Sequence, residues 1–367
     1  MNDDWLRLGI EEEFQIVGRD GRLVSHIETL LQRAEPELGK QLKPEMLQSM
    51  AETGTRICSN VQDARAELLR LRRAIVAHLE PDDARIACAG THPSADWAEQ
   101  RVTDKERYRE LEENMQDVVR NILIFALHIH VAIPDPDERI RVMNEVRGYL
   151  PRLLALSTSS PFWRGRNTGL KSYRSVIWSR LPRTGIPPEF SSADEFQGFV
   201  DLLVRSAAID EGTKIWWDIR PHVVHPTLEF RICDATTRVE ETLCIAALAQ
   251  ALCAKVLQEG HRRSYPGHWG ILLHENKFRV MRYGLDATLF DFEAEEEMPV
   301  RDGIKRMVEY VDDVVDELGS RAEVEYVERI LEHGTSADRQ LRVYEESGDL
   351  GQVVEHLVEE TMSGVLV

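Results

Sequence analysis

The chain has no apolar run long enough to span a bilayer; its two most apolar stretches, 122–133 and 245–257, are short and interrupted. It does not open on a basic region followed by an apolar one, and Met1-Asn2-Asp3-Asp4-Trp5 gives no sign of a secretory signal. No internal repeat, low-complexity tract or Gly/Ser linker divides it. Basic residues are in deficit, 45 against 64 acidic ones. The resulting net charge of −19 argues against a nucleic-acid backbone or an anionic membrane as partner. Cysteine is scarce: Cys58, Cys88, Cys233, Cys244 and Cys253 are odd in number and show no close metal-ligand spacing. Apolar neighbours around Cys88, Cys244 and Cys253 favour buried thiols over bridges, and hence a reducing compartment, the cytoplasm. What remains is 367 residues with 43% hydrophobic content, enough for a large core. We expect one domain over 1–367, mainly helical from about residue 300.

Three short segments carry the chemistry: Gly9-Ile10-Glu11-Glu12-Glu13-Phe14, His128-Ile129-His130-Val131 and Leu228-Glu229-Phe230-Arg231. A strand points successive side chains to opposite faces. Glu11 and Glu13 therefore share a face, with Ile10, Phe14 and Ile16 on the other, where Glu12 interrupts the apolar pattern. By the same count His128 pairs with His130, and Glu229 with Arg231. One packed face and one face of Glu, His and Arg make a surface for metal and phosphate, and so for ATP chemistry.

The rest of the chain reads as α+β, a largely antiparallel sheet with helices on one side. Strands are expected at 6–17, 84–89, 214–220 and 227–233, besides the His128 strand ending at Pro134. Helical spacing is read at 62–79, 105–119, 138–156 (bent at Gly148 or Pro151), 240–259, 301–318 and beyond 322. Residues 157–188, rich in Ser, Gly, Pro, Arg and aromatics, read as a long ordered loop.

Further stretches join the three strands: Ser160-Pro161-Phe162-Trp163, Ser172-Tyr173-Arg174, Trp217-Asp218-Ile219-Arg220-Pro221 and Glu275-Asn276-Lys277. In this order, from residue 9 to about 290, they resemble the type-2 glutamate–cysteine ligases, in their carboxylate–amine ligase branch. The resemblance implies a glutamine synthetase-like catalytic fold, a single antiparallel sheet curved around an ATP site. It also implies amide formation between glutamate and cysteine through an acyl phosphate, with ATP and Mg²⁺ (Mn²⁺ as an alternative) as cofactors. The partners are then small molecules, amino acids and ATP, and a homodimer is compatible with them.

Glu11 and Glu13 are hard oxygen ligands on one strand face, and the resemblance favours them as metal ligands over solvated edge-strand acids. Glu45 and Glu52 resemble the family's second acidic pair; Glu52 is the better candidate, since a separation of seven does not suit one face of a regular strand. Two histidines on one face shift His130 from a core residue toward metal or phosphate, with His128 supporting it. Glu229 is expected to complete the metal site with Glu11 and His130. Arg231 is expected to meet phosphate, for which guanidinium presents a matched donor fork; the residues alone also allow a Glu229–Arg231 ion pair. Arg174 and Arg220 are the further phosphate or substrate-carboxylate candidates. Trp216 and Trp217 are expected to pack the sheet, and Asn276, Arg279 and Arg282 to stabilise a helix. The competing classes are a ligase for another amine, a metal-dependent amidohydrolase, which needs no phosphate-binding arginines, and a nucleotide-binding regulator without catalysis.

Overall fold

The computed structural model describes residues 4–260, 269–292 and 294–365. Seven strands form the main sheet: β1 (Leu8–Val17), β2 (Leu42–Pro44), β3 (Met50–Gly54), β4 (Arg85–Ala87), β5 (Leu127–Ala132), β6 (Ile219–Pro221) and β7 (Thr227–Phe230). Their order is β6-β7-β5-β1-β3-β2, with β4 paired to the far end of β1, and every pairing is antiparallel. β1 is the axis of this sheet, because its first half lies between β5 and β3 and its second half receives β4.

The longer helices are α1 (Ile27–Leu38), α2 (Val61–Leu79), α3 (Glu106–Met115), α4 (Pro136–Val146), α5 (Leu150–Ser157), α6 (Tyr173–Trp178), α7 (Ala193–Arg205), α8 (Val239–Glu259), α9 (Trp269–Tyr283), α10 (Val300–Val315), α11 (Arg321–His333), α12 (Ser336–Ser347) and α13 (Leu350–Met362). The α+β architecture is as expected. α8 is apolar almost all round, which suits a helix buried at the centre of a core. With α2 it packs against Leu8, Ile10, Ile129, Val131 and Leu228 on one face of the sheet. Helices are expected on one side only, but α3 and the six-residue α6 stand over the other face, where Tyr108 and Arg174 line a cavity.

Local breaks follow local chemistry. The helix expected over 138–156 is two helices separated by a 3₁₀ turn at Arg147–Tyr149, with Pro151 in the first turn of α5. The helix expected over 105–119 ends at Met115, where Gln116 takes φ 48°, and a single turn, Asp117–Arg120, follows. The long loop contains α6 and two-residue strands at Phe162–Trp163 and Arg166–Asn167. All five cysteines are free and buried. No helix among the described residues is long and apolar enough to cross a membrane.

Glu12, which breaks the apolar pattern of β1, is the most informative core residue. It is buried against Arg72 of α2, itself wholly buried, with Nη2–Oε1 at 2.6 Å and Nε–Oε2 at 3.0 Å. Thr242 of α8 donates to Glu12 Oε1 at 2.8 Å, and Arg72 Nη1 donates to the carbonyls of Thr237 and Thr361. Both charges are thus paired and hydrogen-bonded, the condition under which burial is tolerated. Glu12→Gln leaves the guanidinium buried without its anion and is expected to cost about 3 kcal/mol of stability. In urea unfolding the midpoint falls at unchanged slope; a midpoint equal to the parent's would show that the pair does not hold β1 in place.

Candidate active site

Strand register gathers the polar face. Across β1 and β3, Glu13 lies opposite Glu52, and Glu52 in turn opposite Lys43 on β2. Across β1 and β5, Glu11 lies opposite His128 and Gly9 opposite His130. His130 then faces Glu229 on β7, which faces Arg220 on β6. Above the sheet lies a cavity of about 1050 Å³. Glu11, Glu13, Glu45, Glu52, His128, His130, Arg174, Arg220, Glu229 and Arg231, all ten residues singled out in the sequence, line it.

One half of the cavity is acidic. Burial, reinforced by Glu52, pushes the Glu13 carboxyl up to about 8, while the Ala126 N–H donates to its Oε2 at 2.7 Å. Burial and the charges of Glu11 and Glu45 push Glu52 to about 8 as well. Glu45 is raised by burial and by Glu13. Glu11 is different: burial would raise it, but hydrogen bonds with His128 and His130 outweigh that and hold it well below the usual range. Lys43 Nζ bridges Glu11 Oε1 and Glu52 Oε1 at 2.8 and 2.9 Å. No group of three or more acidic, His or Cys side chains stands in metal-holding geometry among the described residues. The donor set nevertheless fits a hard divalent cation: buried carboxylates crowded until they resist ionisation are relieved by nearby positive charge.

The other half is cationic. Glu229 accepts from Arg220 Nε at 2.8 Å and also pairs with Arg231 Nη1; these charges overcome its burial and hold it well below the usual range. The ion pair left open by the sequence therefore exists, with two partners instead of one. Arg220 also donates Nη1 to the carbonyls of Thr213 and Ile215 at 2.8 and 2.6 Å, so its donors are committed to the protein. That geometry makes it a clamp on Glu229 more than a free phosphate ligand. Arg174 donates to the carbonyls of Arg231 and Ile232 at 3.2 and 3.4 Å. Arg231 also lies over the Trp178 ring at 5.6 Å. The Nε–H groups of Arg174 and Arg231 are buried with no hydrogen-bond partner. Orphan buried donors cost stability, and an anionic oxygen would satisfy them.

Residues not singled out in the sequence complete the site. Lys43 is one; His222 is another, with its ring 5.4 Å from that of His130 and its Nδ1 accepting from the N–H groups of Val224 and His225. Those two bonds leave the His222 proton on Nε2. Lys277 of α9 bonds both Asp218 oxygens at 2.7 and 2.8 Å, and the Asp218 carbonyl accepts from the Arg231 N–H. Two stretches quoted for the resemblance are thereby fastened together behind Arg231. Asp234 accepts from Ser159 N, Ser160 Oγ and Ser172 Oγ, and Ser160 Oγ accepts from Arg174 N, which fixes the start of α6. Trp217 packs among Phe190, Phe196 and Phe199 as expected, whereas Trp216 reaches the cavity beside Trp178. Asn276 and Arg279 have structural partners in Phe290 and Glu275.

Residues 7–356 match glutamate-cysteine ligase family 2. The chain belongs to this family. It is accordingly an ATP-dependent ligase. A "Putative glutamate--cysteine ligase 2" of Herpetosiphon aurantiacus is 48% identical over 98% of this chain and 94% of its own length. One of Chloroflexus aurantiacus is 51% identical over 98% and 92%. Among solved structures, glutamate–cysteine ligase from Francisella tularensis in complex with AMP superposes with a TM-score of 0.75 at 13% identity, covering 98% of this ligase and 89% of that chain. A bifunctional glutathione synthetase from Pasteurella multocida gives 0.74 at 16%, covering 99% and 53%. At such identities the likeness is one of fold.

Two substitutions separate the halves of the ligase site. At pH 7 the Glu13 carboxyl carries a proton, so Glu13→Gln is nearly isosteric with it, keeps the bond from Ala126 and should leave folding intact while weakening divalent-cation binding. Glu229→Gln deprives two buried guanidiniums of their anion and should cost about 3 kcal/mol of stability. Urea unfolding and a Mn²⁺ titration read both; an unfolded Glu13→Gln beside a fully stable Glu229→Gln would reverse the assignment. The second expectation concerns pH. With Glu13 and Glu52 titrating near 8, the folded ligase keeps protons that the unfolded chain releases above 4.5, so stability is lost as pH rises through 8. His128, pushed by burial to about 4 from 6.5, opposes this only below 6.5. Between pH 6.5 and 8 these two carboxyls, at about 1.4 kcal/mol per retained proton, should cost the ligand-free ligase about 2 kcal/mol per pH unit. A flat profile there, without divalent cation, would contradict the arrangement of the acids.

Proposed function

We propose that this ligase joins the side-chain carboxylate of glutamate to the amine of cysteine at the expense of ATP, forming γ-glutamylcysteine, ADP and phosphate. The observation that carries the reading is a single cavity in which buried, mutually repelling carboxylates face two buried arginines with unfilled donors. A hydrolase built from the same Glu and His residues has no use for those arginines. Family membership and the names of the relatives point the same way.

Glu11, Glu13, Glu45, Glu52, His130 and Glu229 would hold Mg²⁺, or Mn²⁺ in its place, which would supply positive charge to offset that of the phosphates. Arg231 and Arg174 direct guanidinium N–H groups at the phosphoryl being transferred. As the glutamate carboxylate attacks the γ-phosphorus, its oxygen–phosphorus bond forms and the bond to ADP breaks, giving an acyl phosphate. The amine then attacks the acyl carbon and inorganic phosphate leaves. Arg220 keeps Glu229 ionised and in place, and His130, with His128 behind it, supports the phosphate side of the cavity. The protein orients and stabilises charge; no side chain becomes covalently attached.

The assay is ADP release with glutamate, with and without cysteine or another amine. Slow release without amine, with carboxylate oxygen recovered in phosphate, and rapid release with cysteine are expected. Faster turnover with a different amine would change the substrate, and ATP-independent amide cleavage would move the reading to a metal hydrolase. Arg231→Lys keeps the charge and loses the fork, so turnover should fall by about a hundredfold, with ATP affinity far less affected. Near-parental turnover in this variant would remove Arg231 from the catalytic set.

A further inference from the structure

Lys43 lies on the short edge strand β2, where it pairs with Glu52 of β3. One ammonium nitrogen spans two carboxylates of the proposed metal site, Glu11 and Glu52, at 2.8 and 2.9 Å. Its setting differs from that of the arginines across the cavity. Arg220 and Arg174 also hold backbone carbonyls, and Arg231 is 9% exposed, whereas the Lys43 side chain is 47% exposed on a flexible four-carbon stem. A cation so placed is bound by attraction to the acids and little else, and half-exposed ion pairs of this kind are weak. A metal ion coordinated by those two oxygens would stand a few ångströms from the ammonium, and the two cations would repel each other.

We propose that Lys43 is the resident counter-ion of the ligand-free ligase, and that a divalent cation enters by displacing its ammonium from Glu11 and Glu52. The inference rests on reading these acids as metal ligands. It accounts for a donor set suited to a hard cation with no cluster already in metal-holding geometry among the described residues. Lys43 bonds Glu11 and Glu52, whereas Glu13 and Glu45 line the same half of the cavity, so one ammonium meets only two of the four carboxyls gathered there. A doubly charged ion relieves more, which sets the direction of exchange. The displaced ammonium stays tethered at the cavity rim with Lys40 and Arg56, which also line it. There it adds positive charge where an anionic substrate enters.

The test is Mn²⁺ binding to the full chain without nucleotide, read from the electron paramagnetic resonance signal of free Mn²⁺. Lys43→Met should bind Mn²⁺ about tenfold more tightly than the parent, because the competitor and its repulsion are both gone. Lys43→Gln should behave like Lys43→Met, and Lys43→Arg, which keeps the charge, should stay close to the parent. Equal or weaker binding in both neutral variants overturns the proposal while leaving the metal assignment intact. Glu52→Gln should weaken binding in every background; if it does not, or if the parent binds no Mn²⁺, the metal assignment falls and this proposal with it.

Discussion

The buried bond between Arg72 and Glu12 fixes which face of β1 looks into the cavity. Because strand side chains alternate, a slip of one residue would exchange the faces. Glu11, Glu12 and Glu13 are three identical side chains in a row, so the carboxylates themselves do not define the register. Arg72 does. It already donates to the carbonyls of Thr237 and Thr361, and with Thr242 it can satisfy one carboxylate on the core side. Shifted by one, β1 would place two acids before that single guanidinium and leave one for the cavity. Every pairing that assembles the site, from Lys43 across to Arg220, is counted from this position.

The polar face is then arranged as two opposed charge sets on neighbouring strands. Glu229 is the hinge between them, an anion standing in the cationic half and held there by Arg220 and Arg231. Such a site stabilises the ligand-free fold poorly: acids resist ionisation on one side and buried donors lack acceptors on the other. Local departures of this kind are where functional sites set aside the consistency that otherwise specifies a fold. The apolar face bears the compensation, with α2 and α8 closing an apolar core over the same strands.

The three active strands were legible because period-two alternation survives in short segments. Their mutual register was not, since it depends on turns and crossovers whose geometry no spacing reveals. Arg220 therefore read as a phosphate ligand, whereas its place opposite Glu229 turns it into a clamp. Lys43 escaped notice because β2 has three residues and ends at Pro44, too short to show a pattern. Glu12 read as an interruption, since its explanation lies sixty residues away on a helix. The separation of seven between Glu45 and Glu52 becomes clear once the chain folds back between β2 and β3, which brings the two carboxyls to hydrogen-bonding terms. The break between α4 and α5 was anticipated at the right residues, Gly148 and Pro151, although as a bend in one helix.

The five thiols have a meaning beyond packing. Each is buried, burial pushes each away from the thiolate form, Cys233 to about 12, and none lines the cavity. A catalyst proposed to handle a free aminothiol thus presents no sulfur of its own to it. Neither mixed disulfides with substrate nor exchange with an oxidised product has a foothold at the reaction centre, so the redox poise of its surroundings acts on the small molecules before it acts on the protein.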